Sequence, residues 1–254
     1  MQEEAQRIAE ETRRQEEMRS AIYTVNGVSF RMIRVEGGTF MMGATPEQGS
    51  EACYDEKPVY QVTLSDYYIG ETQVTQVTQA LWQAVMDGDN PSRFKGANRH
   101  VENVSWDDCH ELIGQLNKQT GISFRLPTEA EWEFAAHGGK KRKGYKYSDG
   151  NNLSDAAWFG DNSNGETKEV KTKSANELGL YDMSGNVWEW CNDWYDGTYP
   201  SSPQINPQEP SSGSYPVLRG GSWRSIETYY RTADHRYRYT PSGNCSRLGL
   251  RLTQ

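Results

Sequence analysis

The chain has 254 residues, of which 35% are hydrophobic and 11% aromatic, including 8 Trp and 15 Tyr. Disordered chains are poor in aromatic residues, so this composition predicts a folded protein with a substantial core. The net charge of −8 argues against a nucleic-acid-binding protein, because that class carries a basic face. No apolar run approaches the roughly 20 residues that span a bilayer, which argues against membrane insertion.

Residues 2–20 are almost entirely Glu, Gln, Arg and Ala. A helix of this composition has too little apolar surface to dock strongly on a core. We therefore predict a solvated helix or linker over residues 1–21 and one folded domain over residues 22–254. Assembly with a partner through the N-terminal helix is an alternative role, and the sequence leaves the oligomeric state open.

The first predicted elements of the domain are strands. Residues 24–34 read as a hairpin, because Asn26-Gly27 suits a two-residue turn between alternating strands. Further strands are predicted over residues 39–42, 59–64 and 67–69.

Three helices follow, over residues 74–86, 106–116 and 128–136. The second and third open with a Ser or Thr three residues before an acidic residue, which is the capping-box pattern. Beyond residue 138 the chain is rich in turns, aromatic residues and short strand candidates. The order predicts an α+β domain of low regular content.

The four cysteines lie at positions 53, 109, 191 and 245, with no CxxC pair. This spacing does not support a zinc ribbon or a thioredoxin-type site. Cys109 and Cys191 follow Trp106-Asp107-Asp108 and Trp188-Glu189-Trp190, so both are predicted to be buried free thiols.

Five ordered blocks of the sequence are Val35–Gly43 (VEGGTFMMG), Asn103–Asp108 (NVSWDD), Phe124–Glu133 (FRLPTEAEWE), Asn176–Trp190 (NELGLYDMSGNVWEW) and Leu218–Trp223 (LRGGSW), before a closing Leu248–Leu252. Together they resemble one family, the formylglycine-generating enzyme or sulfatase-modifying factor family. The resemblance implies a C-type-lectin-like fold with a small twisted sheet, two flanking helices and long ordered loops. In the third block, Arg125, Glu129, Glu131 and Glu133 are expected to form structural ion pairs where they are buried.

The family's oxidases bind copper through two cysteine thiolates, which suit soft Cu(I). Alignment on Arg236 and Pro241 places those positions near Thr228 (or Glu227) and Ala233 (or Thr232), and no cysteine lies between residues 192 and 244. We therefore expect no copper and no oxidase activity. The four histidines lack ligand-like spacing, so iron-dependent sulfoxide synthesis is not expected either. An oxidoreductase with altered chemistry is the alternative.

The stretch from Trp223 to Ser246, here called the terminal segment, mixes Tyr and Arg with small polar residues. That mixture is typical of binding hot spots and paratopes. The alternative is that several of the tyrosines pack inward. We predict a surface that binds a protein or glycan, formed by Trp223, Arg224, Ser225, Ile226, Glu227, Thr228, Tyr229, Tyr230, Thr232, Asp234, His235, Tyr237, Arg238, Tyr239, Asn244 and Ser246.

The terminal segment also resembles that of the variable proteins of diversity-generating retroelements, which belong to the same lectin-like group. In those proteins, adenine-directed mutagenesis rewrites scattered codons within a fixed frame. The matching frame here is Gly220, Gly221, Ser222, Trp223, Arg231, Arg236, Pro241, Gly249 and Arg251. The resemblance implies export or display on the surface of a bacterium or phage, with any export signal outside this sequence.

Residues 182–189 resemble the family's calcium loop. The implied ligands are the carboxylates of Asp182 and Glu189 with the carbonyls of Met183, Gly185 and Val187, a set of oxygen atoms that suits Ca²⁺. A tight aromatic turn without a metal is the alternative.

Overall fold

The computed structural model describes Glu4, Arg7 and residues 19–72, 78–208, 210, 212–236 and 239–254. Most of the predicted N-terminal helix therefore lies outside the described residues, as does the predicted helical stretch over residues 74–77. Tyr237 and Arg238, two of the predicted contact residues, also lie outside them.

The predicted hairpin is confirmed. β1 (Ser20–Val25) and β2 (Val28–Val35) pair antiparallel with Val25 opposite Val28. Asn26 and Gly27 have φ values of 46° and 81°, which is the type I′ geometry that matches the twist of the strands. β1 begins at Ser20, two residues before the predicted start of the folded domain at residue 22.

β3 (Thr39–Met42), β4 (Tyr60–Thr63) and β5 (Tyr67–Gly70) follow close to the predicted bounds. The helices are α1 (Gln79–Met86), α2 (Trp106–Thr120), α3 (Glu129–Ala136) and the short α4 (Leu153–Ala156). Both predicted capping boxes are present at the N-termini of α2 and α3. α2 runs four residues past its predicted end and closes at Gly121, whose φ of 72° is the left-handed conformation typical of a helix C-cap.

The remaining strands are β6 (Trp188–Trp194), β7 (Gln204–Ile205), β8 (Pro216–Arg219), β9 (His235–Arg236) and β10 (Leu248–Leu250). The described strands form three small sheets, ordered β1-β2-β5, β3-β4-β7 and β10-β6-β8-β9. β10 pairs with β6 in parallel, whereas β8 pairs antiparallel with both β6 and β9. The α+β fold class is confirmed.

The core has two main parts. One packs α1 and α2 against β1, β2, β6 and β10 and includes Phe30, Leu112 and Trp190. The other surrounds α3 and includes Phe40 and Trp132. Since β8, β9 and β10 belong to one sheet, the chain between β8 and β10 is anchored at three places. No helix among the described residues is both long and apolar enough to cross a membrane.

Candidate ligand-binding surface and its buried frame

A fully buried arginine at the end of β8 organises the region below the terminal segment. Arg219 donates through Nε to Oε1 of Glu129 at 3.0 Å and through Nη2 to Oε2 of Glu133 at 2.7 Å. Its Nη1 donates to the carbonyl of Thr232 at 2.9 Å, which fixes the terminal segment from beneath. Burial alone would raise the pKa of Glu129, but the charges of Arg219 and His235 lower that pKa to about 2.

Two further buried arginines bind carboxylates through two points each. Arg231 donates to both oxygens of Glu56 at 2.7 and 2.6 Å, and Arg251 donates to both oxygens of Glu189 at 2.9 and 3.0 Å. Each pair joins the C-terminal part of the chain to a distant element. At a buried site this geometry satisfies the charges that burial would otherwise penalise.

The predicted structural role of the charged third block is confirmed. Besides the Glu129 and Glu133 contacts, Arg125 binds both oxygens of Glu131 at 2.6 Å. The same Glu131 carboxylate accepts from the amide of Thr128 at 2.9 Å and so completes the cap of α3.

Nine of the predicted contact residues that the structure describes reach solvent. We define them as the terminal face: Arg224, Ser225, Ile226, Glu227, Thr228, Tyr229, Tyr239, Asn244 and Ser246. Ile226 is 63% exposed and adds an aliphatic side chain to this face. Tyr229 and Tyr239 contact Trp188 and Trp190, with ring centroids 6.3 and 6.5 Å apart. Alternate residues of a strand share one side, so both tyrosines rest on the same side of β6.

Five predicted contact residues are buried, and for them the prediction of an exposed surface is wrong. Their relative exposures are 7% or less: Trp223, Tyr230, Thr232, Asp234 and His235. Tyr230 donates to the carbonyls of Ser222 and Ser225, and Thr232 accepts from Nε2 of Gln48 at 3.1 Å. These bonds satisfy polar atoms inside the fold, so the inward-packing alternative holds for Tyr230.

His235 shows the largest difference from expectation. Its Nδ1 lies 2.8 Å from Oε1 of Glu129, and its Nε2 lies 3.6 Å from Oδ2 of Asp55. Burial alone would lower the pKa of His235, but Glu129 and Asp55 raise it to about 9. The imidazole is therefore charged at neutral pH and belongs to the buried ion-pair network rather than to the surface.

The two positions aligned with copper-binding cysteines differ in burial. Thr228 is partly exposed on the terminal face, whereas Ala233 is fully buried. Cys109 and Cys191 are buried, as predicted, and Cys53 is exposed.

One cluster of metal-binding residue types occurs among the described residues. Cys53, Glu56 and Asp234 offer ligand atoms within 4.8 Å of one another. The guanidinium of Arg231 already binds both oxygens of Glu56, so a metal ion would have to displace a buried cation.

The donor set of the predicted calcium loop fits a metal poorly. Both carboxylate oxygens of Glu189 bind Arg251, and one of them also accepts from Nε1 of Trp132. Asp182 is buried and its Oδ2 accepts from the amide of Lys171 at 3.0 Å. The carboxylate of Glu189 therefore fits the predicted ligand set with Asp182 poorly, because it is already paired with Arg251. The amides of Gly185 and Asn186 donate to the carbonyls of Gly220 and Trp158, which fits the metal-free turn.

Known proteins and one family model are similar to this chain in sequence. A family model described as the sulfatase-modifying factor enzyme 1-like domain matches residues 24–254. The chain is 36% identical over 248 residues to the chaperone protein LppX of Paenibacillus barcinonensis, covering 78% of this chain and 80% of that protein. It is 32% identical over 282 residues to the formylglycine-generating enzyme of Streptomyces coelicolor, covering 86% and 87% of the two chains.

Among longer relatives, the chain matches 38% of the length of the serine/threonine-protein kinase pkn1 of Chlamydia caviae. Among solved structures, Treponema denticola variable protein 1 superposes with a TM-score of 0.80 at 35% identity. That alignment covers 92% of this chain and 98% of the variable protein.

Proposed function

The chain belongs to the sulfatase-modifying factor enzyme 1-like family, and we propose that it is a non-catalytic member that binds a protein or glycan through the terminal face. The observation that carries the proposal is the division of the terminal segment. Its exposed residues lie between buried residues that ion pairs and hydrogen bonds hold in place. This arrangement leaves the exposed side chains free to vary without loss of the fold.

The composition of the terminal face supports binding. Ile226 and the partly exposed Tyr229 offer apolar area, and Arg224 offers a planar donor beside them. Tyr and Arg are enriched among the side chains that contribute most of the energy at protein interfaces. A rigid frame lowers the entropy lost on binding because the face is ordered in advance.

Two observations support the absence of copper oxidation. Thr228 and Ala233 occupy the positions aligned with the copper-binding cysteines, and neither side chain is a soft ligand for Cu(I). The likeness to Treponema denticola variable protein 1, a relative named for variation, agrees with a scaffold that carries changing side chains. The likeness to the Streptomyces coelicolor enzyme supports the alternative, an oxidoreductase with altered chemistry.

A binding screen tests the proposal. The wild-type chain is applied to arrays of glycans and of bacterial extracellular proteins, beside a terminal-face variant carrying R224A, I226S and Y229A. A matched control carries I22S and Y54S, which change two exposed apolar side chains elsewhere. The proposal expects signals that the face variant loses and the control keeps. Signals that survive in the face variant would place the ligand on another surface.

A further inference from the structure

A cavity of about 570 Å³ opens beside the buried network, lined mainly by residues outside the terminal segment. Its walls come from the start of α3, from β4 and from the loop between β6 and β7, with His235 as the one contribution of the terminal segment. A volume of this size is typical of small-ligand sites. The terminal face does not line it.

Two carboxylates at this cavity keep one oxygen each without a partner among the described residues. Oε1 of Glu129 accepts hydrogen bonds from Tyr199, Arg219 and His235 at 3.0, 3.0 and 2.8 Å. No hydrogen bond from the described residues reaches its Oε2, and Glu129 lines the cavity. Asp193 accepts from the amide of Glu129 on Oδ2 at 2.7 Å, and no hydrogen bond reaches its Oδ1. Glu129 is 9% exposed and Asp193 is 7% exposed. Carboxylate oxygens that line a cavity without such a hydrogen bond are available to a ligand that donates hydrogen bonds.

The charge balance indicates the sign of that ligand. At neutral pH the anions that line the cavity are Asp55 and Glu129, with His235 as the cation among the lining residues and Asp196 at the exposed rim. Asp193 adds a further negative charge once it ionises. Arg219 pairs with Glu133 as well as with Glu129, so its positive charge does not cancel the excess of negative charge at the cavity. The cavity therefore favours a cation.

The walls suit an organic cation rather than a metal ion. Trp194, Tyr195 and Tyr199 line the cavity together with Tyr60, and aromatic faces attract ammonium and guanidinium groups. The acidic groups of the cavity do not converge within 4.8 Å as a metal centre requires, since among the described residues only the Cys53 cluster does. Hydrogen bonds from a forked or tetrahedral nitrogen group can reach oxygens that are spread apart.

We propose that this cavity binds an organic cation, a primary ammonium or guanidinium group, through the unpartnered oxygens of Glu129 and Asp193 and the surrounding aromatic rings. The site is separate from the terminal face and does not depend on the function proposed for it. Its ligand is either a free amine or the side chain of a Lys or Arg residue of a partner protein.

Binding of the cation is linked to the proton of Asp193. Burial and the nearby charge of Glu129 raise the pKa of Asp193 to about 8, so the acid is largely protonated at pH 7. The other ionisable groups that face it are Glu131, Arg125, Tyr60 and Cys191. A bound cation favours the carboxylate and lowers this pKa, so binding releases a proton. The affinity therefore rises with pH between 6 and 8, by at most about tenfold per pH unit.

Calorimetric titration tests the proposal with three probes of matched shape. Nα-acetyl-lysine methylamide and Nα-acetyl-arginine methylamide carry the cation, and Nα-acetyl-norleucine methylamide lacks it. We expect the first two probes to bind and to release a proton, which is detected as a binding enthalpy that changes with the ionisation enthalpy of the buffer. The third probe is expected to bind at least about tenfold more weakly. Tighter binding of cadaverine than of the blocked lysine would indicate a free amine, and the reverse order a side chain of a partner.

The matched variants are D193N, which fixes the uncharged state with nearly the same shape, and R224A on the terminal face. D193N is expected to lose the proton release and at least about tenfold in affinity at pH 8, while R224A binds as the wild type does. D55N provides a second variant should D193N lower the melting temperature. Equal binding of the norleucine probe, unchanged affinity in both carboxamide variants, or no binding at all would overturn the proposal. None of these outcomes bears on the terminal face.

Discussion

Arg231 binds both carboxylate oxygens of Glu56, across 175 residues of chain, and the side chains of both residues are at most 1% exposed. The pair joins the middle of the terminal segment to the turn that precedes β4. Arg219 and Arg251 make equivalent connections on either side. The terminal segment therefore has few regular elements of its own and still holds a defined course.

Removing Arg231 tests how much this pair contributes to the fold. R231A leaves the carboxylate of Glu56 buried and unpaired, and we expect it to lower the free energy of unfolding by about 3–5 kcal/mol. The double variant R231M/E56L replaces both charges by apolar groups and is expected to recover most of that loss. Urea unfolding measures both variants. A loss below about 1 kcal/mol in R231A would show that the frame does not depend on this pair.

The division of the terminal segment predicts opposite responses to substitution. I226S changes a side chain that is 63% exposed and should alter stability by less than about 0.5 kcal/mol. Y230A removes a fully buried ring and its hydroxyl bonds to two carbonyls, and should cost about 3–5 kcal/mol. Thermal unfolding of the two variants is the measurement, and similar melting temperatures would contradict the division.

His235 predicts a dependence of stability on alkaline pH. Its pKa is raised from 6.5 to about 9 in the folded protein, so its contribution is complete below pH 6.5 and is lost as the pH rises through 9. The contribution amounts to roughly 3 kcal/mol, at about 1.4 kcal/mol per pKa unit. Since H235N cannot be protonated, the stability difference between wild type and H235N should shrink from pH 6 to pH 9.5. A difference that stays constant over this range would show that folding does not raise the pKa of His235.

The loop over residues 182–189 predicts no stabilisation by calcium. Glu189 is committed to Arg251, and a Ca²⁺ ion would have to break that buried ion pair to use its carboxylate. We expect the melting temperature to be the same in excess Ca²⁺ as in a chelator. A saturable rise with Ca²⁺ that D182A abolishes would restore the metal site implied by the resemblance.

Local patterns in the sequence were sufficient to predict turns and helix caps that neighbouring residues determine. The Asn26-Gly27 turn and the capping box at Thr128 each depend on residues a few positions apart, and both are confirmed. The resemblance to the family supplied the fold class and the expected ion pairs of the third block.

Long-range pairing explains what the sequence could not reveal. The partner that accommodates the buried His235 is Glu129, which lies 106 residues earlier in the chain. No local signal in the sequence therefore distinguishes His235 from an exposed His. Likewise the local sequence around Glu189 resembles a calcium loop. Only the fold shows that Arg251, 62 residues later, donates hydrogen bonds to the Glu189 carboxylate. The organic-cation cavity depends on Glu129, Asp193 and the loop after β6, which only the fold brings together.

The most direct test of copper-dependent oxidation is the reaction of a cysteine-containing peptide with the purified chain. The assay supplies Cu(I) and oxygen and detects formylglycine by mass spectrometry, with the Streptomyces coelicolor enzyme as positive control. A variant with T228C and A233C tests whether the two thiolates are the missing part. We predict that the wild-type chain forms no formylglycine and that the C53S variant, which lacks the exposed thiol, retains no copper. Multiple turnovers by the wild-type chain would contradict the account and restore the oxidoreductase alternative.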